Sequence, residues 1–88
     1  MAQTKGYVQK VGIVLSEQAP SSMTCFWIGS SVSDTSELYI QCKSADSNQE
    51  RDIKNSMIDA LVAAKAARLQ VEVGHAGNNI NHVAVLEG

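Results

Sequence analysis

Aromatic rings are scarce in this chain: one Trp, one Phe and two Tyr among 88 residues. Proline occurs once, at Pro20, and cysteine twice, at Cys25 and Cys42. So few rings leave little for the base stacking on which single-stranded nucleic-acid binders depend. Charge points the same way, since seven basic and nine acidic residues are dispersed to a net −2, with no basic patch to meet phosphates. No apolar run reaches the roughly 18 residues needed to span a bilayer, so membrane insertion is not expected. The opening MAQTKGYVQ lacks the apolar segment of a secretory signal, although a mature secreted chain would read identically. The two Cys and two His show neither CxxC nor HxxxH spacing, so no metal site is expected. There is no phosphate-cradling Gly-rich loop, no nucleophile–base pair in a recognisable setting and no carboxylate cluster. Neither an enzyme nor a cofactor is therefore expected.

What is present is globular: 44% of residues are apolar and 18% charged. Residues 1–88 make one domain, small enough that a staple or oligomerisation would add materially to a modest core. YVQKVGIVLS (7–16) reads as a strand, with Val11, Ile13 and Leu15 on one side and Gly12 marking a bulge or bend. EQAPSS (17–22) is a polar loop, MTCFWIG (23–29) a second strand, SSVSDTS (30–36) turn material and ELYIQCK (37–43) a third strand. In the third, Leu38, Ile40 and Cys42 share one face and Tyr39 takes the other. Ser47-x-x-Glu50 is a capping box opening a helix that runs without Gly or Pro from Gln49 to Arg68. Ile53, Met57, Ala60, Leu61, Ala64 and Ala67 fall on one helix face, which should cover the sheet. Ile58, Val62 and Ala66 form a second apolar line about 120–140° away. Flanking loops or a neighbouring subunit could cover that line. LQVEVGH (69–75) alternates with Leu69, Val71 and Val73 inward, AGNNIN (76–81) turns, and HVAVLE (82–87) is the last strand.

The order β-β-β-α-β-β is that of a five-stranded OB-fold barrel, with the helix between strands three and four plugging its open end. A ferredoxin-like domain would need an earlier helix, and an SH3-like barrel would not hold one of this length. A hairpin turning within 31–36 brings Cys25 and Cys42 close to opposite one another. That placement predicts a disulfide worth about 3 kcal/mol and an oxidising compartment, the alternative being two buried free thiols.

Ser21, Cys25 and Cys42, followed by a polar loop, a long helix, LQVEV (69–73) and HVAVLEG (82–88), resemble the B subunits of the subtilase-cytotoxin and typhoid-toxin type. Those pentameric glycan-binding subunits of bacterial AB toxins have an OB-fold and a Ser four residues before the strand-two Cys. The N-terminal extension is shorter here, and HAGNNIN stands where the family has a tyrosine-bearing loop. The resemblance implies a secreted or periplasmic lectin-like subunit, a cell-surface glycan as ligand, a homo-oligomer of five copies and a catalytic A subunit as a further partner. It carries Ser21 over as a glycan contact.

The hydroxyls of Ser22 and Thr24, the carboxylate of Glu17, the amide of Gln18 and the cation of Lys43 complete a sugar-binding set, each otherwise a solvated loop residue. Asn79 lies with Asn78 and Asn81 in a common OB ligand loop, though GNN is also ordinary turn chemistry. Trp27 is in phase with Cys25, so an inward disulfide makes it a core residue rather than a stacking ring. His75 and His82 read as strand-end residues. The competing function is an OB interaction or assembly module without a sugar ligand.

Overall fold

The computed structural model describes residues 2–16 and 21–86, and no side chain is described at 15, 16 or 21. Its elements are β1 (Ala2–Ser16), β2 (Ser21–Ser31), β3 (Asp34–Cys42), α1 (Asn48–Ala67), β4 (Gln70–Ala76) and β5 (Asn79–Leu86), in the expected order. The five strands form a closed ring in the order β1-β2-β3-β5-β4. β1 serves two neighbours: Ala2–Gly6 pair with β4 and Tyr7–Ser16 with β2, with a bulge at Gln9 between Val8 and Lys10. All contacts are antiparallel except that of β3 with β5, a single parallel bridge between Tyr39 and Asn79.

Period-two alternation decides which side chains fill the ring. Phe26 and Ile28 from β2, Leu38 and Ile40 from β3, Val71 and Val73 from β4, and Ile80 from β5 are all buried. At the point where β1 passes from one neighbour to the other, Gly6 lies against the Gly29 backbone. A Cβ on Gly6 would come within 2.8 Å of the Gly29 carbonyl.

The helix begins as its capping box requires. The Glu50 N–H donates to Ser47 Oγ (3.1 Å) and the Ser47 N–H to Glu50 Oε1 (3.3 Å). No glycine ends it: Arg68 takes the left-handed conformation (φ 56°, ψ 42°), and the Leu69 N–H closes onto the Ala64 carbonyl (2.9 Å). Leu61 and Ala64 are buried against the ring, with Met57 and Ile58 packed around them.

Three expectations are corrected here. Cys25 and Cys42 are both free thiols. The β2–β3 turn is tight, at Val32–Ser33, and a register shift at Ser30 beside it moves the ladder by one residue, so Cys25 pairs with Tyr39 while Cys42 pairs with Ser22. An odd offset of three residues places the two on opposite faces of the ribbon, out of reach of a disulfide. Trp27 is accordingly not core: Thr24, Phe26 and Ile28 take the inward phase, and Trp27 lies half-buried on the outer face. On the helix, Ile58 packs against the core rather than joining an exposed line, and Ile53, expected to cover the sheet, is exposed. Val62 and Ala66, from the second line, are exposed.

Candidate functional site

The outer face of β1, β2 and β3 carries two cross-strand rows that register sets side by side. One is Gly12–Cys25–Tyr39 and the next Lys10–Trp27–Glu37. Gly12 makes room for the indole, since a Cβ there would stand 3.3 Å from the Trp27 ring. The Lys10 ammonium sits 4.8 Å from the ring centroid, a cation–π distance. Cys25 is buried although it faces outward, and that burial, with a smaller push from the Glu37 carboxylate, raises its thiol pKa. The protonated thiol behaves as a small apolar filler. The result is an aromatic surface of Trp27 and Tyr39 flanked by one cation and one anion. Alternation placed Tyr39 on the face opposite Leu38 and Ile40 but put Trp27 in the core, and Lys10 and Glu37 become neighbours of Trp27 only through register, which no local signal announces.

The expected sugar-binding residues do not form one cluster. Glu17 and Gln18 lie outside the described residues. Ser21 pairs with Ser16 at the end of β2, and its hydroxyl is not among the described side chains. Thr24 is a correction: at 5% exposure it faces inward with Phe26 and Ile40, so it cannot offer its hydroxyl to a ligand. Ser22, half-buried opposite Cys42, and exposed Lys43 stand at the same end of the β2–β3 ribbon. Asn79 is exposed beside Tyr39, about 13 Å from Lys43 along β3 at strand rise.

Where β3 leaves for the helix, Lys54 Nζ reaches back to the Gln41 carbonyl (2.8 Å) and to Asp46 Oδ2 (2.7 Å). The Lys43 N–H donates to the same Asp46 oxygen (2.8 Å). These donors, Lys54 first and the Lys43 amide second, hold the Asp46 carboxyl below its usual range. A carboxyl lowered by folding adds stability above the ordinary carboxylate range, and that stability is lost as pH falls through its folded value. Asp46→Asn should therefore be less stable than wild type near neutrality, with the gap shrinking as pH drops from about 5 toward about 2. Urea denaturation across that range checks it, and a gap independent of pH would reject the role given to Asp46.

His75 behaves as a strand-end residue. Its Nδ1–H donates to the Gly77 carbonyl (2.7 Å), and its Nε2 lies within hydrogen-bond distance of Thr4 Oγ1 (2.8 Å). The two bonds pin the start of β1 to the β4–β5 turn. Among the described residues no group of three His, Cys, Asp or Glu side chains could hold a metal ion. Among the described residues no helix is long and apolar enough to cross a membrane. Compared with known protein families, with characterised proteins and with solved structures, the chain matches none.

Proposed function

We propose that the strand ring is an OB fold and that the protein is a glycan-binding subunit assembling with copies of itself, five in the arrangement of the resembled toxins. The fold reading is supported by the strand order 1-2-3-5-4 returning to 1, and by the helix inserted between β3 and β4. The glycan reading rests on one observation above others, the Trp27 indole on the outer β2–β3 surface with Tyr39 beside it. OB folds take oligosaccharides on this surface and on the adjoining strand 1–2 and 4–5 loops. A flat ring offers a sugar an apolar face, while Lys10 and Glu37 supply a cation and an acceptor for its carboxylate or hydroxyls. Exposed Val62 and Ala66 favour assembly through the helix. Secretion and a catalytic A-subunit partner follow from the resemblance alone, since the free thiols remove the disulfide that argued for an oxidising compartment.

Trp27 is the sole tryptophan, so its fluorescence in the folded wild-type protein reports the site directly. A bound glycan from a screened panel should shift that emission. Trp27→Ala, if folded by circular dichroism, should weaken binding about tenfold or more, which is about 1.4 kcal/mol. A glycan that binds without touching the emission and survives Trp27→Ala would move the site elsewhere. Sedimentation of the wild type as a monomer at micromolar concentration would defeat the oligomer.

The second reading is an OB interaction module without a sugar. It is favoured by an apolar groove of about 370 Å³ in which Ile53, Met57 and Ala60 of α1 face Val83 and Val85 of β5. Among the described residues, the outer edge of β5 beyond Asn79 has no strand partner. Binding of no member of the glycan panel would shift weight to that reading.

A further inference from the structure

The bulge in β1 and the last turn of α1 leave a second cleft, of about 440 Å³. That is within the roughly 300–1,000 Å³ of small-molecule sites. Tyr7 and Gln9 line it from β1, Lys65 and Arg68 from the end of the helix, and Leu69 supplies apolar surface above the buried Val8. We infer that this cleft binds an organic anion, its carboxylate or phosphate held by Lys65 and Arg68 and its apolar body laid against Tyr7 and Leu69.

Four observations carry the assignment. First, no acidic residue lines the cleft, although acids outnumber bases in the chain as a whole. Second, the two cations are uncompensated: among the described residues the ion pair is Lys54–Asp46, and neither Lys65 nor Arg68 has a side-chain partner. Third, Arg68 occupies a left-handed backbone position (φ 56°), where glycine or asparagine is the unstrained choice. A guanidinium side chain at a strained backbone position is a pointer to use. Fourth, Gln9 is the bulged residue of β1, and bulges re-aim side chains beside sites. Its amide nitrogen donates to the Gly29 carbonyl (3.3 Å), which fixes the side chain at the cleft wall.

A helix C-terminus favours cations through its dipole, and this accounts for the sign of Lys65 and Arg68. It does not account for an arginine at the one left-handed residue of the helix end, nor for an exposed tyrosine across an acid-free cleft. The guanidinium fork matches either a carboxylate or a phosphate, so the charge is common to both and the probes must separate them.

The proposal is independent of the glycan reading. Phenyl phosphate and phenylacetate are titrated into the wild-type protein, with inorganic phosphate and phenol as the anion without a body and the body without an anion. Amide NMR shifts locate the binding. At least one aryl anion should bind at Tyr7, Gln9 and Arg68, and the tighter of the two identifies the head group. Inorganic phosphate and phenol should bind at least about tenfold more weakly. Arg68→Gly relaxes the backbone while removing the guanidinium, so it should keep or raise the melting temperature yet weaken binding about tenfold or more. Lys65→Gln should weaken it as well, and Trp27→Ala should leave it unchanged. No aryl anion bound at millimolar concentration, or binding that survives Arg68→Gly, would overturn the assignment.

Discussion

Gly29→Ala is expected to abolish a stable fold. A Cβ on Gly29 would fall inside the Asp34 carbonyl oxygen, with the Asp34 carbonyl carbon and Thr35 Cα both 2.8 Å away. These are backbone atoms of the paired strand, so no rotamer change relieves the overlap. The other side is closed too, because Gly6 already packs on the Gly29 backbone where β1 changes partners. Ordinary overpacking costs about 1–3 kcal/mol. A collision with a ladder backbone should exceed that and consume most of the roughly 5 kcal/mol a domain of this size has to lose. Gly77→Ala is the natural contrast. Gly77 has a positive φ (58°), but a methyl group there would meet nothing within 4 Å, so its cost is confined to backbone strain of about 1–2 kcal/mol. Circular dichroism and urea denaturation of the two variants test the difference. A Gly29→Ala protein as stable as Gly77→Ala would mean that β2 and β3 do not approach so closely there.

Leu61→Ala should be the most damaging truncation on the helix. Leu61 is fully buried at the centre of the helix–ring contact, amid the core that includes Phe26, Ile40 and Val71. Removing a buried leucine costs about 2–5 kcal/mol, the upper part of the range applying where the surroundings cannot collapse. A ring of paired strands has little freedom to close on the void. Its neighbour Val62 is 46% exposed, so Val62→Ala should change the stability of the single protomer by under about 0.5 kcal/mol. The urea midpoint of Leu61→Ala should fall with an unchanged slope. Equal midpoints for the two variants would contradict the burial that distinguishes them.

Much of this architecture is legible in the residues themselves. The capping box at Ser47 and Glu50, the uninterrupted helix and the clean alternation of Val71 and Val73 are local signals, and each element they mark is present. Register is not local. MTCFWIG is apolar in both phases, so hydrophobicity alone cannot say whether Cys25 and Trp27 or Phe26 and Ile28 face inward. The answer depends on the turn and on the bulge beside it. Val32–Ser33 alone would set Cys25 opposite Ile40, and the extra residue at Ser30 moves it opposite Tyr39. The helix raises a similar ambiguity. Its apolar arc from Ile53 to Val62 is wider than the contact it makes, and only packing centred on Leu61 admits Ile58 and leaves Ile53 outside. The anion cleft had a faint mark in AARLQ, where a helical stretch stops without a glycine. The left-handed position there falls to Arg68, and nothing nearby says that Tyr7 and Gln9 will stand across from it.

The division of β1 between two neighbours bears on how fast the chain can assemble. The β1–β2, β2–β3 and β4–β5 ladders join consecutive strands and each forms by local closure. The ladder from Ala2–Gly6 to Val71–His75 joins the first strand to the fourth, across more than sixty residues of sequence. It meets the loop-closure entropy of nearly everything between, and the single Tyr39–Asn79 bridge returns little toward it. High contact order of this kind slows folding into the millisecond-to-second range typical of closed β topologies. During that interval the Ala2–Gly6 stretch of β1 and the facing edge of β4 are unpaired strands, open to the same edge of another copy.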